Sequence, residues 1–282
     1  QAFPRLARFQ WHKHEEGGLN DTRPMIIGHR GSGIESTSRG LLIGNTSDAI
    51  QQGIDAGVDW IEIDVRLSRD GHFVVFHDYR IDEKTTGKGK VKELDLQQLQ
   101  ATEIRVSPAE RIQSLDQVFT RFHSKQRKWI FDIKVPGIEA EVLRWIDEQV
   151  SNGKLLTEDV LIFGDYEILT DYKSCDYALG YTALGKNRRT RLNVLFAPSN
   201  IIKQCESLDC DYLVLPILYA DQSLVKKANS AGLRVWVYGS DDERDLKYLA
   251  GHGISGLIVD RPKSAVDLFR NAGRRTPVAD DM

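Results

Sequence analysis

Short apolar, β-branched runs recur along this chain of 282 residues at 25–29, 60–65, 129–133, 159–163, 177–182, 212–216, 233–238 and 255–259. Most are separated by amphipathic stretches, and helical spacing of apolar positions is clearest at 46–57, 138–151, 198–208, 220–231 and 240–251. Pro198-Ser199 opens the third of these helices and Asp221 the fourth, both as start signals. Strand alternating with helix eight times predicts an α/β chain folded as a (β/α)8 TIM barrel, a closed parallel sheet with helices outside. The rival is an open doubly wound sheet, disfavoured because no glycine-rich dinucleotide fingerprint follows the first strand.

One interval breaks the alternation. Between the second run and Phe73-Val74-Val75-Phe76-His77-Asp78 the chain offers only Arg66-Leu67-Ser68-Arg69-Asp70-Gly71-His72, whereas a parallel crossover needs about a dozen residues or more. The segment 73–77 is therefore expected to turn back through Asp70-Gly71 as a short β-hairpin excursion on the barrel rim, bringing His77 toward the second strand. Residues 80–127 then form a long excursion containing the turn-rich Thr85-Thr86-Gly87-Lys88-Gly89-Lys90 and two modest helical patterns. The expected organisation is an N-terminal extension at 1–24, one barrel domain at 25–272 and a frayed tail at 273–282.

Composition narrows the function classes. A hydrophobic content of 41% supports a sizeable core, and a net charge of −3 gives no general footprint for nucleic acid or an anionic membrane. Cys175, Cys205 and Cys210 are too few and too scattered for a disulfide framework, so a reducing, cytoplasmic setting is expected. No apolar stretch approaches the roughly 20 residues of a membrane span, and stable membrane insertion is not expected.

The candidate chemistry lies on three strands. Successive side chains of a strand point to opposite faces, so in Trp60-Ile61-Glu62-Ile63-Asp64-Val65 the two carboxylates share one face and the aliphatic residues the other. Such alternation also marks a strand with one wet face. In a parallel barrel covered by helices, however, an inward carboxylate needs a partner or a metal. His29 ends the first strand in Gly28-His29-Arg30-Gly31, and Asp132 and Lys134 close the third in Phe131-Asp132-Ile133-Lys134. Barrel active sites form at these strand ends. Two carboxylates able to hold a hard divalent cation, two histidines (His29 and His77) and an arginine together contain what phosphodiester cleavage needs: charge neutralisation, a base and an acid. His12, His14, His72, His123 and His252 have no acid cluster beside them and are assigned no role. Trp236 is expected to fill the barrel and also to form an apolar wall beside a glycerol-sized group.

At these residues the chain resembles the glycerophosphodiester phosphodiesterase family. The likeness extends through Asn45-Thr46, Ala56-Gly57-Val58-Asp59, Glu62-Ile63-Asp64-Val65, Asp70-Gly71, His77-Asp78, Thr85-Thr86-Gly87, Asp132-Ile133-Lys134, Val235-Trp236-Val237 and Asp260-Arg261-Pro262. The resemblance implies His29 and His77 as the acid–base pair and Glu62, Asp64 and Asp132 as ligands of a divalent metal, Mg2+ or Ca2+. It also implies Arg30 and Lys134 as holders of phosphate oxygens, and a small-molecule glycerophosphodiester as substrate. The loop between Gly31 and Asn45 is similar to that of glycerophosphocholine-cleaving members. Two departures stand out. Gly44-Asn45-Thr46 replaces the family's Glu-Asn-Thr, with Glu35 as the candidate substitute, and Asp132 replaces a glutamate one methylene longer. The alternatives are a lysophospholipase D-like enzyme acting on acyl-bearing substrates, and a catalytically impaired barrel that binds phosphate esters.

Overall fold

The computed structural model describes residues 23–37, 40–123, 127–183 and 198–270. Eight parallel strands form the barrel: β1 (Met25–Gly28), β2 (Trp60–Leu67), β3 (Lys128–Ile133), β4 (Val160–Gly164), β5 (Ala178–Thr182), β6 (Tyr212–Pro216), β7 (Arg234–Tyr238) and β8 (Gly256–Val259). Each pairs with the next, and β1 closes the ring, with Gly28 opposite Val259 of β8 on one side and Ile61 of β2 on the other. The strands lie within two residues of the runs that predict them. A helix follows each strand: α1 (Ser47–Ala56), α2 (Leu115–Phe122), α3 (Glu139–Ser151), α4 (Tyr166–Tyr172), α5 (Pro198–Ser207), α6 (Gln222–Ser230), α7 (Glu243–Ala250) and α8 (Pro262–Arg270). Asp221 caps α6 as its sequence position predicts, accepting from the backbone N–H groups of Ser223 and Leu224.

The pleat sorts side chains into two layers. Ile61, Ile63 and Val65 of β2 pack outward into the strand–helix core, while Glu62 and Asp64 point the other way. Inside the ring lies a second core that includes Ile27, Trp60, Ile130, Phe163, Tyr212 and Trp236. Trp236 is only 1% exposed, with its ring centroid 4.6 Å from Tyr212 and 5.8 Å from Phe163. Gly256, its neighbour on β8, leaves the room for it: a Cβ there would lie 2.7 Å from the indole.

The excursion departs as the short gap predicts. Phe73–Val75 runs antiparallel to β2, with Val65 opposite Val75 and Leu67 opposite Phe73, and Gly71 takes the turn at φ 81°. The chain returns at Gln113–Ser114, which pairs with Phe73–Val75, and a small apolar core of its own (Val74, Ile81, Val91, Leu99, Ile104, Ile112) holds the excursion together. Its carboxylate Glu110 accepts the backbone N–H groups of Ser47 and Asp48, capping α1 across more than 60 residues of chain. Outside the sequence-based expectation, Ile34–Thr37 and Gly40–Ile43 form a second hairpin after β1. The expectations for the extension at 1–24 and the tail at 273–282 fall almost wholly outside the described residues. Among the described residues no helix is long and apolar enough to cross a membrane.

Candidate active site

The expected residues converge where the strands end. A cavity of about 770 Å³ is lined, among the described residues, by His29, Arg30, Glu62, Arg66, His77, Asp78, Asp132 and Lys134 on its charged side. Phe163, Thr182, Val214, Tyr238 and Ile258 line the other side. Asp64 is buried against the charged group, and one carboxylate oxygen from each of Glu62, Asp64 and Asp132 lies within 4.8 Å of the other two.

Cations and amides hold these carboxylates in place. Arg30, at a left-handed φ of 55°, donates its backbone N–H to Glu62 Oε2 at 2.7 Å and sets its Nε 3.0 Å from Asp64 Oδ2. Lys134 Nζ stands 3.0 Å from Asp64 Oδ1 and also bonds Asp132. Asn45 contacts Asp64 with both ends of its side-chain amide. Burial, which alone would raise the pKa of Asp64, is outweighed by Lys134 and Arg30, and the group is held below the usual carboxylate range. Glu62 goes the other way: burial, with the charge of Asp64 added, pushes it up to about 7. Burial also tends to lower Lys134, but Asp132 and Asp64 reverse the effect and hold it above the usual lysine range.

The donor set fits a hard divalent cation. All three groups are carboxylates, and Glu62 Oε1 is buried with no hydrogen-bond donor. A buried acceptor left open in this way is costly unless something positive meets it.

The two histidines are each tied to an aspartate. Nδ1 of His29 lies 2.6 Å from Asp260 Oδ1, beyond β8, and Nδ1 of His77 lies 2.6 Å from Asp78 Oδ1. An ionised carboxylate only accepts, so each Nδ1 carries the proton and each Nε2 remains for the cavity. Burial, with the charges of Arg30 and Lys134 added, lowers the pKa of His77 against the pull of Asp64 and Asp78. Arg66, 8% exposed, donates from Nε and Nη2 to the carbonyl of His77 at 2.8 and 2.6 Å.

One sequence expectation changes. Trp236 is not among the residues that line the cavity; Tyr238, two residues on along the same inward face, is. Gly44 packs against Arg30, where a Cβ would fall 2.5 Å from the arginine Cβ and 3.0 Å from the carbonyl of Gly33, so the described backbone has no room for the absent glutamate. The side chain of Glu35, the proposed substitute, lies outside the described residues. The sequence carries Asp260, Asp78 and Asn45 within motifs of the resemblance but predicts no role for them, and predicts none for Arg66. Only the alternation of Arg66 with Glu62 and Asp64 on β2 signalled its inward direction.

A model of the glycerophosphoryl diester phosphodiesterase family matches residues 29–264. A glycerophosphodiester phosphodiesterase of Caldanaerobacter subterraneus subsp. tengcongensis is 26% identical over 261 residues, covering 89% of this chain and 100% of that protein. Among solved structures, a glycerophosphodiester phosphodiesterase from Thermotoga maritima superposes with a TM-score of 0.69 at 21% identity, covering 87% of this chain and 98% of that one. A phosphodiesterase from Oleispira antarctica, in complex with the product sn-glycerol-3-phosphate, gives a TM-score of 0.67 at 24% identity over 87% of this chain and 97% of that one. Both structures share the barrel fold of this chain.

Proposed function

The chain belongs to the glycerophosphoryl diester phosphodiesterase family and is a phosphoric diester hydrolase, and from that premise we propose a metal-dependent hydrolysis of glycerophosphodiesters such as glycerophosphocholine to glycerol 3-phosphate and an alcohol. The observation that carries this reading is the pair of histidines, each with Nδ1 fixed by an aspartate, lining the same cavity as Glu62 and Asp132. The product held by the Oleispira antarctica relative supports the glycerophosphate part.

Glu62, Asp64 and Asp132 would hold the cation, Mg2+ or Ca2+, which when bound supplies Lewis-acid charge against the phosphate. Arg30 and Lys134 answer the remaining phosphate charge. His77, whose pKa burial lowers, is unprotonated at neutral pH and takes the proton of the attacking hydroxyl as its oxygen bonds to phosphorus. His29, entering the reaction protonated at both ring nitrogens with its Nδ1–H on Asp260, gives its Nε2 proton to the departing alkoxide as that oxygen's bond to phosphorus breaks. When the attacking group is the glycerol 2-hydroxyl, the product of this step is a cyclic phosphate. Water then opens it with the two histidines in exchanged roles.

The lysophospholipid alternative needs an open apolar slot. Among the described residues the aliphatic and phenyl side chains that line the cavity, Ile133, Phe163, Ile168, Val214 and Ile258, are each 7% exposed or less and form a closed floor, which favours the small substrate. Turnover of glycerophosphocholine with and without added divalent cation, set beside a lysophospholipid, tests the proposal. Release of choline and glycerol 3-phosphate only with the cation is expected. No release with either Mg2+ or Ca2+, or faster cleavage of the lysophospholipid, would refute it.

A further inference from the structure

The two histidines are held by their aspartates in different ways. Asp260 engages His29 at 2.6 Å, and among the described residues no lysine or arginine side chain stands within ion-pair distance of it. Asp78 is engaged at both oxygens: Oδ1 accepts from His77 Nδ1 at 2.6 Å, and Oδ2 lies 3.2 Å from Nζ of Lys84. Lys84 belongs to the excursion, not to the barrel. Its carbonyl accepts the backbone N–H of Arg105 at 2.9 Å, and the adjoining Thr85, fully buried, bonds back to the carbonyl of Ile81 through both its N–H and its hydroxyl. The lysine therefore rises from a fixed piece of backbone, and its side chain is only 22% exposed, unlike that of a free surface lysine.

We propose that Lys84 is a positioning residue for the reaction: acting through Asp78, it fixes the ring of His77 in the tautomer that presents Nε2 to the cavity. This rests on the reading of His77 as the proton acceptor. A carboxylate held at one oxygen by a single hydrogen bond is free to swing about that contact, and the imidazole then turns or changes tautomer with it. An ammonium at the second oxygen removes that freedom. From the barrel side, Arg66 grips the carbonyl of the same histidine with two N–H groups. Backbone and ring of His77 are thus fixed from opposite directions, by β2 and by the excursion. The other charges acting on His77 are Asp64 of β2, Arg30 after β1 and Lys134 after β3. None of them touches Asp78 in an ion pair.

The competing description is an ordinary part-exposed ion pair with no bearing on the reaction. Lys84→Met, Lys84→Arg and the control Arg69→Met distinguish the two. Arg69 pairs with Asp95 in the same excursion and touches neither Asp78 nor His77, so its loss loosens the excursion without altering the relay. The measurements are kcat and KM on glycerophosphocholine with saturating Mg2+ or Ca2+, and the tautomer of His77 by 15N NMR of histidine-labelled protein, its signals assigned by their loss in His77→Gln.

The expected wild-type ring carries its proton on Nδ1 alone. In Lys84→Met both tautomers appear and kcat falls on the order of tenfold or more, with KM little changed. Lys84→Arg restores both, and Arg69→Met resembles wild type. Lys84→Gln, which also removes the charge, is read the same way if Lys84→Met does not fold. A single tautomer and wild-type kcat in Lys84→Met would overturn the proposal, as would an equal loss in Arg69→Met. Mixed tautomers with unchanged kcat would leave the relay standing and refute instead the use of His77 in the reaction.

Discussion

Asn45 holds Asp64 at two points: its amide nitrogen donates to Oδ2 at 2.6 Å, and its amide oxygen accepts the backbone N–H of Asp64 at 3.1 Å. The contact requires a left-handed backbone, φ 68°, which asparagine tolerates better than most residues. Asn45→Gly keeps the backbone and loses the two bonds, whereas Asn45→Ala loses both bonds and also strains the turn. Both are expected to weaken divalent-cation affinity by roughly 10- to 100-fold, the usual cost of removing a partner that orients a ligand. Asn45→Ala should in addition melt at a lower temperature than Asn45→Gly. Calorimetric titration with Ca2+ or Mg2+ and thermal melts check this, and unchanged affinity in both variants would show that Asp64 needs no such support.

Trp236 and Tyr238 face the same interior at different depths, so their loss should register in different measurements. Trp236→Ala empties a closed core and is expected to cost about 3–5 kcal/mol of stability. Tyr238→Ala opens the cavity wall and is expected to raise KM for glycerophosphocholine severalfold, with a far smaller effect on stability. Urea unfolding and steady-state kinetics on both variants decide it. A folded Trp236→Ala with a large rise in KM and unaltered stability would reverse the assignment.

Burial lifts Glu62 from an ordinary 4.5 to about 7 in the metal-free protein, with the charge of Asp64 adding to the shift. A folded-state pKa above the unfolded one means that folding favours the protonated form. The stability from this group is fully present below 4.5 and is lost as pH rises through about 7. A cation needs the ionised carboxylate, so its binding at pH 6 should release close to one proton, and its affinity should fall about tenfold per pH unit below 7. Calorimetry in buffers of different protonation enthalpy measures the release directly; none at pH 6 would place the proton elsewhere.

Gly44 stands where the resemblance implies glutamate, yet a Cβ there meets the Cβ of Arg30 at 2.5 Å. Gly44→Ala is therefore expected to cost about 1–3 kcal/mol through overpacking and to displace Arg30, raising KM. Gly44→Glu should fare no better. Thermal melts and kinetics across the pair test this, and a Gly44→Glu protein with tighter cation binding and wild-type stability would show that the Arg30 turn yields to admit the carboxylate.

Local chemistry made the barrel legible. The β-branched runs mark all eight strands, and the seven residues from Arg66 to His72 were too few for anything but a hairpin. The carboxylate pair on β2 followed from the two-residue period of a strand. That same period places Trp236 and Tyr238 on one face without saying which lies deeper; only the structure puts Trp236 in the inner core and Tyr238 at the cavity. Helix α4 spans only Tyr166–Tyr172, fewer than two turns, too short for its spacing to stand out. The partners of the histidines, of Asp64 and of the α1 N-terminus come from distant parts of the chain or from a neighbouring residue whose direction alternation does not fix.

The closure of the ring by β1 has a consequence for the birth of the protein. His29 and Asp260 meet across 231 positions of sequence, and Arg270 reaches back 211 positions to Asp59, whose other oxygen binds the backbone of Ile26. A nascent chain that has already made β1 through β7 still lacks the strand against which β1 must zip, and His29 lacks its aspartate. The first strand made is then among the last to be fully paired. Until the eighth emerges, its edge is open to whatever strand it meets, and that interval is when the chain is most exposed to aggregation.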